Sequence, residues 1–140
     1  MNKINDLYSD LPAMEKTFIV DVTGNFSKKR HVGEFTCRIP GIKEQCLINK
    51  HKAYLNGDQP DQLDIGTLKI HHMISYLRYT ITESPKFWKE SDLGYGLFDS
   101  NIIEDVYNKV LDHENNWLKS VWGDNAIEGT DGKETESSKT

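Results

Sequence analysis

Between positions 64 and 82, apolar residues recur at Ile70, Ile74, Leu77 and Ile81, at spacings of four, three and four. That is the period of an α-helix with one buried face. Leu68, Met73 and Tyr76 widen the stripe, so this helix is expected to be covered on two sides. A helix covered on two sides sits at the centre of a fold, and the other segments must supply the cover. Asp61 or Asp64 can cap its start by accepting orphan amide hydrogens. Pro85 stops it, because the residue before a proline avoids the α conformation.

Two segments upstream alternate with a period of two. In TFIVDV, residues 17–22, Phe18, Val20 and Val22 share one face; in EFTCRI, residues 34–39, Phe35, Cys37 and Ile39 do. Such alternation marks half-buried strands, and the turn-rich stretch between them makes a β-hairpin. Pro40-Gly41 ends the second strand. A helix is expected over Ile42–Asn56, with Ile42, Cys46, Leu47, Ala53 and Tyr54 on or near one face and Asn56-Gly57 as its stop. A last helix starts at Asp99, Ser100 or Asn101 and runs to about position 121. Ile103, Tyr107, Val110, Trp117 and Val121 form its stripe, and Glu104 and Asp105 favour the positive end of its dipole.

The expected fold is therefore α+β: an N-terminal β-hairpin packed on about three α-helices, with a disordered C-terminal tail. Residues 1–16 read as a flexible arm, 17–123 as a single domain, and 124–140 as a polar, acidic tail with too few apolar residues to fold. One domain suits the length of 140 residues. A hairpin alone is marginal, so it must lie on the helices or pair with another chain.

The net charge of −5 is unevenly placed. Positions 28–52 hold seven Lys or Arg against two acids, whereas 83–140 hold six Lys against thirteen acids. A basic belt joined to an acidic end does not describe a nucleic-acid binder. No apolar run approaches the ~20 residues that span a bilayer, and the polar N-terminus lacks the apolar stretch of a signal peptide. A cytosolic protein without nucleic-acid or membrane partners is expected. Cys37 and Cys46 form no CxxC pair and read as two buried, reduced thiols.

Chemistry is hard to place on the chain. His71 and His72 are adjacent and point about 100° apart on a helix; neither HExxH nor Hx3–5H occurs, so no metal or cofactor is expected. No serine lies in a GxSxG elbow, and no glycine run forms a phosphate loop. Glu104, Asp105 and Asp112 read as a solvated helix face. No catalytic residue is assigned. Lys28, Lys29, Arg30 and His31 read as a soluble loop tip. What stands out is the ring-rich stretch SPKFWKESDLGYGLFDS, residues 84–100, with Phe87, Trp88, Tyr95 and Phe98. Phe87 and Trp88, just after Pro85, suit a lid over the seam between the last two helices, because large rings bury large areas. The same rings, with Trp117, are the candidates for contact with a partner.

The order TFIVDVTG, GEFTCRIPGIKEQCLI, an apolar helix ending in SPKFWKES, then GLFDSNIIEDVYNKVLDHENNW resembles the tail assembly chaperones of tailed bacteriophages. The resemblance covers roughly residues 17–120. It rests on weak motifs: a proline-aromatic-tryptophan turn, then a final helix of the form D-x-N-[VI]-[IV]-x-x-[VL]-[YF], here Asp99, Asn101, Ile102, Ile103, Val106 and Tyr107. It implies a non-enzymatic protein of the host cell cytoplasm that binds the tape measure protein, a long apolar helical chain. Such a chaperone also helps recruit tail tube subunits. The wide apolar stripe of the central helix would pack against that partner, and homo-oligomerisation is left open. The competing readings are a structural virion component (neck, tail-completion or minor capsid protein) and a small enzyme or host-takeover factor.

Overall fold

The structure, a computed structural model, describes residues 7–123. The expected polar tail and the start of the expected arm lie outside the described residues. The elements run β1 (Glu15–Thr23), β2 (Arg30–Arg38), α1 (Ile42–Asn56), a 3-10 turn (Pro60–Gln62), α2 (Ile65–Thr80), β3 (Ile81–Glu83), α3 (Lys86–Glu90) and α4 (Ser100–Trp122). The fold is α+β, with a three-stranded antiparallel sheet in the order β1-β2-β3.

The residues divide between two units, Glu15–Val110 and a second made of 7–14 with 111–123, the division falling within α4. In the second unit, Trp117 Nε1 donates to the Pro12 carbonyl at 3.1 Å and His113 Nε2 to the Met14 carbonyl at 2.8 Å. Residues 12 and 14, inside the expected flexible arm, are thus tied to the last turns of α4.

In the larger unit the register follows the alternation. Phe18 faces Phe35, and Lys16 faces Cys37. Val20, Phe35 and Cys37 are fully buried, with Phe18 and Val22 packed against them. Phe18 and Phe35 stack with centroids 5.6 Å apart. The central helix behaves as its stripe requires: Met73, Ile74 and Leu77 of α2 join Ile103, Val106 and Val110 of α4 in the core. Each such side chain contributes roughly 1.5–3 kcal/mol on burial. Asp64 is the cap, accepting from the Thr67 amide at 2.7 Å. That bond, with one from the Thr67 side chain, holds its carboxyl below the usual carboxylate value.

Four expectations change. The central helix ends at Thr80, and Ile81–Glu83 form β3 on the edge of β2. Three residues are too few to show a period. The stripe of α2 is occupied by the protein's own core, so it offers no groove to a partner. In α1 only Ile48 is buried, whereas Ile42, Ala53 and Tyr54 are exposed. Its apolar residues are spread round the helix, so no single face collects them. Cys46 lies on that exposed surface, so only Cys37 is a buried thiol.

Candidate interaction site

The loop joining β1 and β2 is held by α4. Asp99, just before the helix, accepts from the Phe26 amide at 2.7 Å and the Ser27 amide at 3.0 Å. Its other oxygen takes a short hydrogen bond from the Ser27 hydroxyl. Asn101 accepts from the Asn25 amide at 2.9 Å and donates to the Thr23 carbonyl at 3.0 Å. Gly24 is required here, since a Cβ at that position would overlap the Asp99 carboxylate. Asp99 is buried. The bond from the Ser27 hydroxyl, backed by the two amides and the charge of His31, keeps its carboxyl below the ordinary value against the opposing effect of burial. The Asp-x-Asn pair, expected as a helix cap, thus spends its side chains on the hairpin loop.

The result is an apolar pair in water. Phe26 is 82% exposed and Phe98 is 77% exposed, and their rings meet edge to face with centroids 6.3 Å apart. Lys28, in the left-handed region at φ +59°, and Lys29 share the loop. Arg30 is drawn away from the basic cluster into a two-pronged pair with Asp21, at 2.8 and 2.7 Å. His31 turns inward against Phe87, with ring centroids 4.8 Å apart.

The other candidates part company. Trp88 has no exposed surface and meets Phe35 edge to face at 5.3 Å. It therefore closes the core and presents nothing to a partner. Phe87 is half-buried between His31 and Phe35. Tyr95 is partly exposed and bonded through its hydroxyl to His71 Nε2 at 3.1 Å. Trp117 lies in the second unit and is anchored to Pro12. Of the five rings, Phe98 alone joins the exposed pair. Its partner Phe26 was not singled out by sequence; the available signal is a phenylalanine inside the otherwise polar turn GNFSKK.

Tyr95 also lines a cleft of about 310 Å³ with His51, Tyr54, Leu55, Ile74, Arg78 and Asp92. Its polar wall is tied down. His51 Nδ1 bonds the buried Ser75 hydroxyl at 2.9 Å, and Arg78 pairs loosely with Asp92 at 3.9 Å. His71 Nδ1 donates to Asn56 Oδ1 at 2.9 Å, so in the neutral ring Nε2 accepts from the Tyr95 hydroxyl. Burial, with the Arg78 charge, pushes His51 below the usual imidazole value. Burial and the Lys52 charge do the same to His72, which bonds the Tyr107 hydroxyl at 3.2 Å. His51, in the cleft, and His71, behind Tyr95, are thus occupied in holding α1, α2 and the loop after α3 together.

No protein-family model, curated protein or solved structure matches the chain.

Proposed function

We propose that the chain acts by binding, as an assembly chaperone of the phage-tail type, and that Phe26 and Phe98 are its docking surface. One observation carries this reading: two phenyl rings stand in water side by side, Phe26 on a hairpin loop fixed by hydrogen bonds to Asp99 and Asn101, and Phe98 immediately before Asp99. Single exposed apolar side chains are ordinary. A contiguous pair held rigid is different, because a pre-ordered group loses little freedom on binding. Each ring can contribute roughly 1.5–3 kcal/mol when a partner covers it.

The partner chemistry that suits the pair is an amphipathic helix with an apolar ridge for the rings and acids for Lys28 and Lys29. The tape measure protein, which the sequence resemblance implies as a long apolar helical chain, would supply the apolar ridge. Recruitment of tail tube subunits in the host cytoplasm would follow its capture. The test is co-expression with the tape measure protein of the same phage. The wild-type chain is expected to bring it into the supernatant and to co-elute with it, and the Phe26→Ala/Phe98→Ala double variant is expected to leave it in the pellet. A tape measure protein that stays insoluble with the wild type would sink the proposal. If the chain were then found at fixed copy number in purified particles, it would be a structural virion component instead.

A further inference from the structure

The outer edge of β1 has a symmetry that the docking surface does not use. The Gly24 amide donates to the Lys29 carbonyl at 2.9 Å, so it points toward β2. Main-chain groups along a strand point alternately to its two sides. With the register that places Thr23 opposite Arg30 and Ile19 opposite Glu34, the even-numbered residues of β1 are turned toward β2. The N–H and C=O groups of Glu15, Thr17, Ile19, Asp21 and Thr23 are turned away from it. At the Thr23 end the Asn101 side chain donates to the outward carbonyl, and no main-chain group of a described residue bonds the rest of that edge. Natural edge strands are usually short, bulged or covered, whereas β1 is nine residues long and pairs with β2 without a bulge.

Ile19 is the middle residue of those nine, and it is 58% exposed. An antiparallel copy of β1 centred on Ile19 places Ile19 opposite Ile19, Thr17 opposite Asp21 and Glu15 opposite Thr23. All five outward residues then meet outward residues; with the two Glu15–Thr23 pairs set aside, because Asn101 holds the Thr23 carbonyl, the three central pairs allow two bonds each, about six in all. Lys16 falls opposite Val22, so no like charges face each other. On the solvent face the two Ile19 side chains touch at the axis, where an opposed apolar pair is favourable.

We infer that the protein is a twofold dimer joined edge to edge through β1, which makes one six-stranded antiparallel sheet from two copies of the chain. This surface is separate from the Phe26–Phe98 pair, so either can fail without the other. Sedimentation of the full chain should give twice the 16.1 kDa chain mass. Ile19→Lys sets two ammonium groups against each other at the axis, and should return the mass to one chain with an unchanged circular dichroism spectrum.

A second measurement fixes the register. In a Cys46→Ser background, Ile19→Cys places two thiols on opposed residues with Cα atoms about 5.5 Å apart, and a short thiol crosslinker should join the chains. Thr17→Cys places its two thiols four residues out of step, about 13 Å apart, and should not be joined by the same reagent. A wild-type chain that sediments as a single copy at every soluble concentration overturns the inference. So does a dimer that survives Ile19→Lys, or one that crosslinks at position 17 as readily as at 19.

Discussion

Trp88 and Phe98 lie ten residues apart in one ring-rich stretch, and the fold treats them oppositely. Trp88 is sealed against Phe35, while Phe98 stands in solvent beside Phe26. Local polarity does not separate them, because both follow short charged or glycine-rich runs. What separates them is the chain between. Asp92, Leu93 and Gly94 take left-handed conformations in succession, with φ of +56°, +54° and +94°. That loop doubles back so that Gly94 lies on the Trp88 ring, where a Cβ would come within 2.6 Å of it. The Leu93 amide closes onto the Trp88 carbonyl at 3.0 Å and the Gly96 amide onto that of Ser91 at 2.7 Å. Phe98 instead precedes Asp99, whose carboxylate is committed to the hairpin loop, so the adjoining ring is left outside. Apolar packing holds one ring in the core, and polar bonds hold the other out of it.

The largest expected effect follows from the sealed ring. Trp88→Ala removes the largest fully buried side chain and should lower stability by about 3–5 kcal/mol in chemical denaturation. A loss below about 1 kcal/mol would mean that Trp88 does not close the core. Next is Gly94→Ala, which adds a methyl group against Trp88 at a positive φ. Overpacking of this kind costs about 1–3 kcal/mol, and the tryptophan emission should shift as the ring is displaced. An unchanged denaturation midpoint would remove the close contact between the loop and the ring.

These positions also show what could be read from sequence and what could not. The hairpin, the span of α1 and the central place of α2 followed from period and punctuation, because alternation and the four-three-four spacing each fit one element. The burial of Trp88 was legible in part, since a large ring suits a seam between helices, although the same ring was also a candidate for contact with a partner and Pro85 opens α3 instead of ending α2. The third strand was not legible: Ile81–Glu83 pairs only with Thr36 and Cys37, across a register shift, and three residues carry no pattern. Nor was the exposed pair. Phe26 and Phe98 are 72 residues apart, and the bonds that join their neighbourhoods run from Asp99 and Asn101 to main-chain groups and to one serine hydroxyl in a polar turn, which carry no distinctive sequence signature. The Asp-x-Asn motif looked like a cap because capping is the local use of those residues, and the nonlocal use depends on where the hairpin lies.

A smaller effect tests the polar side of the comparison. The Asp99 carboxyl is held below its unfolded value of about 3.9 by the Ser27 hydroxyl and the two loop amides. A lowered carboxyl stabilises the fold above that unfolded value, and the contribution is lost as pH falls through the folded one. On acidification below pH ~4, the amide resonances of Phe26 and Ser27 should therefore move together with the Asp99 carboxyl, ahead of global unfolding. Asp99→Asn should abolish that step. His51 and His72 act higher in pH. Both are lowered from the ordinary imidazole value, so their share of stability is complete above pH ~6.5 and falls as pH drops through their folded values. The slope of melting temperature against pH in that window should flatten in His51→Phe and His72→Phe. Equal slopes in variants and wild type would sink the assignment.

The smallest stability effect belongs to the exposed ring. Among the described residues Phe98 makes its ring contact with Phe26, and both are largely in water. Removing it uncovers no core residue and leaves the Asp99 bonds intact, since these run through main-chain groups of the hairpin loop and the Ser27 hydroxyl. Phe98→Ala should therefore change stability by no more than about 0.5 kcal/mol, as surface substitutions do. On the docking proposal the same change should weaken partner capture by roughly tenfold or more, the equivalent of the 1.5–3 kcal/mol carried by one covered ring. Set beside Trp88→Ala, this separates the two uses of an aromatic residue within one stretch: a large loss of stability at position 88, a loss of binding alone at position 98. If Phe98→Ala were instead as destabilising as Trp88→Ala, the exposed pair would be part of the fold's support, and its role as a docking surface would fall.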